Sequence, residues 1–308
     1  MVKNETSLMQ NQLKAYRVYL EERKNFSHNT VIVYLKDLND LFSYISKDNN
    51  IDNFSSIDYR LIRKYVVFLK QKRYADSTIA RKISSFRVFF KYLVQQELIS
   101  SNPAEYVQIP RIKKRLPDFL FYEEIVKLIH SFKEDSPIAK RDQAIIELLY
   151  GTGMRVTELS DINISGINLQ DDTIRVLGKG SKERIVPFSN PAKIAIKKYL
   201  DFREKIPKEN YRQLISKKAL FINSIGTRLS ARSIRRIINK YIKLACLNKK
   251  ISPHVFRHTF ATHLLDGGAD LRSVQELLGH ESLSTTQIYT HITKDSLIKT
   301  YKKSIPRK

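Results

Sequence analysis

His254 and Arg257 stand three residues apart behind Pro253, a proline placed where it opens a helix, so both side chains project from one face and can reach one anion. The N-terminus of such a helix also favours negative charge. His280 follows the glycine stop Gly279, and Tyr289 comes nine residues later in another short helical pattern. Upstream, Arg155 begins a helix directly after Gly151-Thr152-Gly153, where the break in the chain exposes a side chain at an edge. Lys179 lies between Gly178 and Gly180, which let the backbone approach a ligand closely. Two arginines, two histidines, a lysine and a tyrosine are what metal-free cleavage of a phosphodiester requires. Phosphoryl transfer is catalysed mainly by positioning and by neutralising charge on the phosphoryl oxygens, and the planar guanidinium groups of Arg155 and Arg257 can do this bidentately. A tyrosine hydroxyl, with a pKa of about 10, is only about one part in a thousand ionised at neutral pH. Tyr289 as nucleophile therefore needs a base or a strongly cationic site, and His254 suits the base. The leaving 5′ oxygen needs a proton, and Lys179 on a hairpin tip suits the donor if neighbouring arginines lower its pKa.

Each of these residues also has a plainer reading. Tyr289 is one of 16 tyrosines, and an isolated tyrosine is more often core or surface than nucleophile. His254 and His258 are four apart, the spacing of two helical zinc ligands, but Val255, Phe256 and Arg257 between them supply no glutamate base and place a cation beside the metal. His258 and His263 are more simply packing residues. Gly178-Lys179-Gly180 lacks the spacing of a nucleotide-binding phosphate loop. No metal site and no cofactor is expected.

The elements that must position these groups follow from periodicity. The first hundred residues read as four helices. Val31, Tyr34, Leu35, Leu38, Leu41, Phe42 and Ile45 mark the second, with Ser27 or Asn29 as its cap. Ile62, Tyr65, Val66 and Leu69 mark the third, and Ile79, Ile83, Phe86, Phe90 and Leu93 the fourth. On that fourth helix Arg81, Lys82, Arg87 and Lys91 fall largely away from the apolar stripe, as a helix laid against phosphates needs, or as a solvated basic face has. Residues 101–117 read as a linker stiffened by Pro103, Pro110 and Pro117, whose Arg111, Lys113, Lys114 and Arg115 can track a DNA backbone. From 118 to 291 the pattern is mixed: a helix near 140–150, a β-hairpin from Thr173–Leu177 and Glu183–Phe188, then helical periodicity over 192–202, 230–247, 254–265, 270–278 and 283–291.

Composition sets the class of partner. With 42% hydrophobic residues in a chain of 308, two ordinary domains can bury cores. Lys and Arg outnumber Asp and Glu by 55 to 31, a net charge of +24 that collects polyanions, with nucleic acid first among them and a lysine-rich coding bias the plainer explanation. The single cysteine, Cys246, permits no intrachain disulfide and fits a reducing, cytoplasmic location. Lys3, Asn4, Glu5, Lys14 and Arg17 interrupt the first stretch against a signal peptide, and no apolar run approaches the roughly 18 residues of a membrane span.

Four ordered runs carry a resemblance to a known family: Gly-Thr-Gly-Met-Arg-Val-Thr-Glu-Leu at 151–159, Val-Leu-Gly-Lys-Gly-Ser-Lys-Glu-Arg-Ile-Val-Pro at 176–187, Pro-His-Val-Phe-Arg-His-Thr-Phe-Ala-Thr-His-Leu-Leu at 253–265, and Leu-Leu-Gly-His at 277–280 followed by Ser-Thr-Thr-Gln-Ile-Tyr-Thr-His at 284–291. Together they resemble the tyrosine recombinase, or phage integrase, family, most closely its Xer branch, over nearly the whole chain. The resemblance implies that Arg155, Lys179, His254, Arg257, His280 and Tyr289 are the catalytic set, and that Glu158 orients the cations from behind, although a simple helix ion pair accounts for it as well. Ser27-His28-Asn29-Thr30 is similar to the family's entry to the second helix of its core-binding domain.

The fold implied is mainly α with a small antiparallel β-sheet in the C-terminal domain, arranged as a two-domain C-shaped DNA clamp: a helical core-binding domain over 1–100, a linker over 101–117, a catalytic domain over 118–291 and a tail over 292–308. The partners implied are a double-stranded DNA recombination site and a homo- or hetero-tetramer on it, with or without a second recombinase. The setting implied is bacterial cytoplasm, at the nucleoid when DNA is bound. Rival readings are a type IB topoisomerase, a phage or mobile-element integrase, for whose usual arm-binding domain the chain has no room, and a non-catalytic DNA-binding protein. In the tail, Leu297, Ile298, Tyr301 and Ile305 form a stripe that needs a partner, either its own domain or, as the resemblance implies, a neighbouring protomer.

Overall fold

The computed structural model describes residues 11–46, 53–112, 118–132, 135–178, 183–203, 218–247, 249, 251–279 and 294–307. The chain divides into two compact units, residues 1–115 and 116–308.

The first unit is helical. A helix over residues 11–18 runs into a π-turn, Tyr19–Arg23, and together they form α1; α2 is His28–Ile45, α3 is Tyr59–Gln71 and α4 is Asp76–Gln95. Of the two caps expected for α2, Ser27 is the one present, its side chain accepting from the Thr30 N–H at 3.3 Å. Asp58 caps α3 in the same way through the Leu61 N–H at 2.8 Å. The apolar residues recurring at three and four meet in one core that includes Leu38, Leu41, Ile62, Leu69, Ile83, Phe86, Phe89 and Phe90. Each such buried phenylalanine contributes roughly 2 kcal/mol. The stretch expected as a linker starts later than its prolines suggest. Ala104 and Val107 are buried in this core, and Arg87 donates to their carbonyls from Nε and Nη2 at 3.1 and 2.8 Å. A small and a β-branched side chain with satisfied carbonyls pack as core, whatever the flanking prolines do.

The second unit is mixed. It contains α5 Tyr122–His130, α6 Pro137–Thr152, α7 Val156–Asp161, strands β1 Ile167–Asn168, β2 Thr173–Leu177 and β3 Glu183–Pro187, then α8 Asn190–Arg203, α9 Ala231–Leu244, α10 Pro253–Asp266, α11 Leu271–Leu278 and α12 Lys294–Ser304. The three strands form one antiparallel sheet in the order β1-β2-β3, with Thr173 opposite Pro187 and Leu177 opposite Glu183. This is the expected hairpin plus a third strand, β1, which at two residues is too short to show alternation. Helix α6 is buried on nearly every side, through Ile145, Ile146, Leu148 and Leu149 among others, and stops where Gly153 turns left-handed at φ 59°. A side chain at Gly153 has no space, because its Cβ would come within 2.4 Å of the Phe260 ring and 2.9 Å of Leu278.

The tail finds its partner inside the same unit. Helix α12 packs on α10 and α11, and Tyr301 and Ile305 join Phe260, Leu264, Leu277 and Leu278 in one buried cluster. Tyr301 Oη donates to the Gly151 carbonyl at 2.6 Å, and Arg307 pairs with the buried Glu147 at 2.9 Å. The resemblance points this stripe at a neighbouring protomer; in the single chain its own domain covers it.

Candidate active site

The N–H of Arg155, the residue capping α7, donates to Glu158 Oε2 at 2.7 Å, and its Nη1 donates to Oε1 at 3.0 Å. Arg184, on β3, takes the same carboxylate from the other side, Nη1 to Oε1 at 3.0 Å and Nη2 to Oε2 at 2.9 Å. The Glu158 side chain is 6% exposed while that of Arg155 is 44% exposed, so the carboxylate is the anchor and the guanidinium the presented group. Burial alone would raise the Glu158 pKa, but the bonds from Arg184 and from the Arg155 N–H outweigh it and hold the carboxyl below its usual range.

Arg257 comes to the same place from α10. Its Nη1 donates to the Gly153 carbonyl at 3.0 Å and its Nη2 to the Leu278 carbonyl at 2.7 Å, which locks the plane of the guanidinium and leaves further N–H donors without a partner among the described residues. Burial, then the repelling charges of Arg155 and Arg184 partly offset by Glu158, lower its pKa to about 10, still charged at neutral pH. Among the described residues, three guanidinium charges against one carboxylate leave two positive charges in surplus. An arrangement of this kind binds and polarises an oxyanion such as a phosphodiester. His254 is exposed in the first turn of α10, behind Pro253. His258 faces the Phe119 ring edge-on at 6.4 Å and His263 is buried with Nδ1 3.0 Å from Tyr150 Oη, both as packing residues. Among the described residues no three of His, Cys, Asp and Glu gather in a way that suits a metal ion.

Residues 118–296 match the model of the phage integrase family, and residues 13–97 match its N-terminal SAM-like domain. This chain belongs to the phage integrase family. It is a tyrosine recombinase, an enzyme that breaks and rejoins DNA. It is 41% identical over 300 residues to the tyrosine recombinase XerC of Natranaerobius thermophilus, covering 97% of this chain and 100% of that one, and 40% identical over 305 residues to the tyrosine recombinase XerC of Bacillus subtilis, covering 97% of each. Among solved structures, the site-specific recombinase XerH bound to a palindromic difH substrate in a post-cleavage complex matches with a TM-score of 0.67 and 25% identity, covering 90% of this chain and 80% of that one. The Tn1549 transposon integrase with transposon right-end DNA matches in fold, with a TM-score of 0.69 and 20% identity, over 92% of this chain and 96% of that one.

Of the six site residues expected in the recombinase, Arg155 and Arg257 converge around Glu158 and His254 stands on the helix that carries Arg257. Lys179, His280 and Tyr289 lie outside the described residues, as do Lys113 and Lys114. The four cations of α4 part company. Lys82 is buried, bonded to Asp40 at 2.7 Å and Asp37 at 3.1 Å, which is not the outward face its spacing suggests. Burial would lower its pKa, and Asp40, Tyr65 and Asp37 together raise it instead. Arg81 pairs with Asp37 yet stays 39% exposed, Arg87 holds residues 104 and 107, and Lys91 and Arg111 are exposed. Apolar spacing cannot separate a solvated lysine from one that answers a buried aspartate on another helix.

Two features of the recombinase escaped the sequence reading. Arg184 is one, although a charged residue on the same face of a strand as the buried Val186, two positions on, is a signal that it meets a buried partner. The other is the outer face of α9, where Arg232, Arg235, Arg236, Lys240 and Lys243 are exposed while Ile234, Ile237, Ile238, Tyr241 and Ile242 are buried. A helical wheel separates these two sets.

Proposed function

We propose that this recombinase exchanges strands at a specific duplex site by way of a 3′-phosphotyrosyl intermediate and a Holliday junction, and that it resolves chromosome or plasmid dimers as an Xer-type enzyme. Tyr289 Oη attacks the scissile phosphorus and gives its proton to His254. The bond from phosphorus to the 5′ oxygen breaks, and Lys179 protonates that oxygen. Arg155 and Arg257, with His280 beside them in the catalytic set, hold the non-bridging oxygens, and Glu158 orients Arg155. A 5′-hydroxyl from a second duplex then attacks the phosphotyrosine and releases the tyrosine. The phosphotyrosyl bond retains the energy of the phosphodiester, so the cycle balances without ATP.

The observation that supports this reading most is that Arg155, bonded to the buried Glu158, and Arg257, held by the Gly153 and Leu278 carbonyls, come close enough to feel one another's charge, with two positive charges in surplus among the described residues. Binding follows from charge: Arg81, Lys91, Arg111 and the outer face of α9 meet the phosphate backbone, with Lys113 and Lys114 continuing the track, whereas Lys82 and Arg87 serve the first unit internally. A tetramer on DNA, alone or with a second recombinase, in the cytoplasm, completes the proposal. The test is Tyr289→Phe, which removes one oxygen and little packing. It should bind the site normally and form no denaturation-resistant adduct, while sequencing DNA trapped on the unsubstituted protein in cells should return a chromosomal or plasmid dimer-resolution site. An adduct formed by Tyr289→Phe overturns the nucleophile, and mobile-element ends among the trapped DNA overturn the dimer-resolving role.

A further inference from the structure

Arg184 has no part in the mechanism above, yet it makes a two-armed ion pair with the buried Glu158. It occupies an inward position of β3, its side chain only 18% exposed, and both of its Nη atoms donate to Glu158. Its stem lies against the end of α11. A Cβ built on Gly279 would come within 3.1 Å of Arg184 Cδ and Nε and 3.2 Å of Cζ, and Gly279 itself sits at φ 66°. The neighbouring carbonyl, that of Leu278, is the one that receives Arg257. Arg184 therefore touches the strand hairpin, the carboxylate behind Arg155 and the chain that holds Arg257.

The charge arrangement suggests what this contact does. Glu158 is buried, and a carboxylate in low dielectric attracts any cation within reach. With Arg155 as its one cationic partner, it would draw that guanidinium inward and consume donors that a phosphate needs. Arg184 satisfies both carboxylate oxygens from the other side, and Arg155 is left half exposed, held by one Nη and its own N–H. We infer that Arg184 is a positioning residue, which holds Glu158 so that Arg155 presents its guanidinium to the scissile phosphate. The inference rests on the reading of Arg155 as the arginine that neutralises that phosphate.

The experiment measures single-turnover cleavage of a nicked duplex carrying a site recovered from cells, once with the natural phosphate and once with a neutral methylphosphonate at the scissile position. Arg184→Ala should slow cleavage of the phosphate by about a hundredfold, the cost of misplacing a reacting group slightly. Its half-site binding should stay close to that of the unsubstituted protein, and its melting temperature should fall while the chain stays folded at the assay temperature. Arg184→Lys, which keeps the charge and loses the fork, should recover part of the rate. The double variant Arg184→Ala/Arg155→Ala should be no slower than Arg155→Ala alone, because a residue that acts through Arg155 has nothing left to position. On the methylphosphonate, which carries no charge to neutralise, both single variants should regain rate relative to the unsubstituted protein. Rates that multiply in the double variant overturn the inference, and so does a loss of melting temperature that accounts for the whole loss of rate. Should Arg184→Ala not fold, the same cycle run with Arg184→Lys decides between the outcomes. If Arg155→Ala is not rescued on the methylphosphonate while the cycle stays non-additive, the role given to Arg155 fails and the action of Arg184 through it stands.

Discussion

A guanidinium in water is solvated and free to rotate, while one whose plane is set by a buried carboxylate or by two carbonyls has its orientation decided before the ligand arrives. Arg155 and Arg257 are of the second kind, one set by Glu158 and the other by the carbonyls of Gly153 and Leu278. Such preorganisation is what electrostatic catalysis exploits, since no reorganisation is left for the moment of reaction. The surplus of positive charge around Glu158 would also suit the proposed general acid, because a lysine ammonium close to such a surplus loses its proton more readily. For Lys179→Ala the expected outcome is slow cleavage of an ordinary phosphodiester, by about a hundredfold or more. Cleavage should be normal where the 5′-bridging oxygen is replaced by sulfur, because a thiolate leaves without a proton. Equal impairment on both substrates removes Lys179 from the role of acid.

Helix α12 shows how an element can be bound strongly and still be tuned by a single buried group. Its stripe is sealed by Tyr301 and Ile305, and the close approach of the Ser304 backbone to Gly267, where a Cβ would meet the Ser304 carbonyl oxygen at 2.0 Å, tolerates no side chain. Arg307 then reaches Glu147, which is 2% exposed. Burial, only partly offset by Arg307, raises the Glu147 pKa to about 7 from an ordinary 4.5. The native state thus holds this proton more tightly than the unfolded chain. The stability it contributes is complete below the unfolded value and is lost as pH rises through about 7. Glu147→Gln lacks that loss, which is worth up to about 3 kcal/mol. Its melting temperature should therefore gain on that of the unsubstituted protein as pH goes from about 5 to about 8. Parallel melting curves across that range would mean that the carboxyl does not titrate there.

For the molecule as a whole, a net charge of +24 draws the chain to DNA, and the six residues proposed for the site would determine what is done to it. The long-range field is screened by salt and independent of sequence. Every group the mechanism uses is an organic side chain, so cleavage of the trapped site should proceed fully in excess EDTA. A loss of cleavage that added zinc or magnesium restores would return the metal reading of His254 and His258. Among the described residues no helix is long and apolar enough to cross a membrane.

What the sequence by itself determined is local or ordered along the chain. Ser27 caps α2 because a hydroxyl placed before a helix meets an N–H three residues on. The stripes of α2, α3 and α4 are cores because residues at three and four share a face. The register of β2 against β3 puts the buried Ile174 and Val176 on the face of Val186 and Arg184, as alternation requires, and the four ordered runs sufficed to place the chain in its family. What only the tertiary structure decided involves partners far apart in sequence. Arg184 meets Glu158 across 26 positions, and Arg257 meets the Gly153 carbonyl across 104. Lys82 turns inward because Asp37 and Asp40 wait on another helix, and the stripe of the tail is covered by its own domain because Tyr301 reaches the Gly151 carbonyl and Gly267 leaves room for the Ser304 backbone. Backbone preference and capping act within a turn or two of chain, so they are written in neighbouring residues. A buried charge takes whichever partner the packing brings within about 3 Å, and that depends on every element between the two.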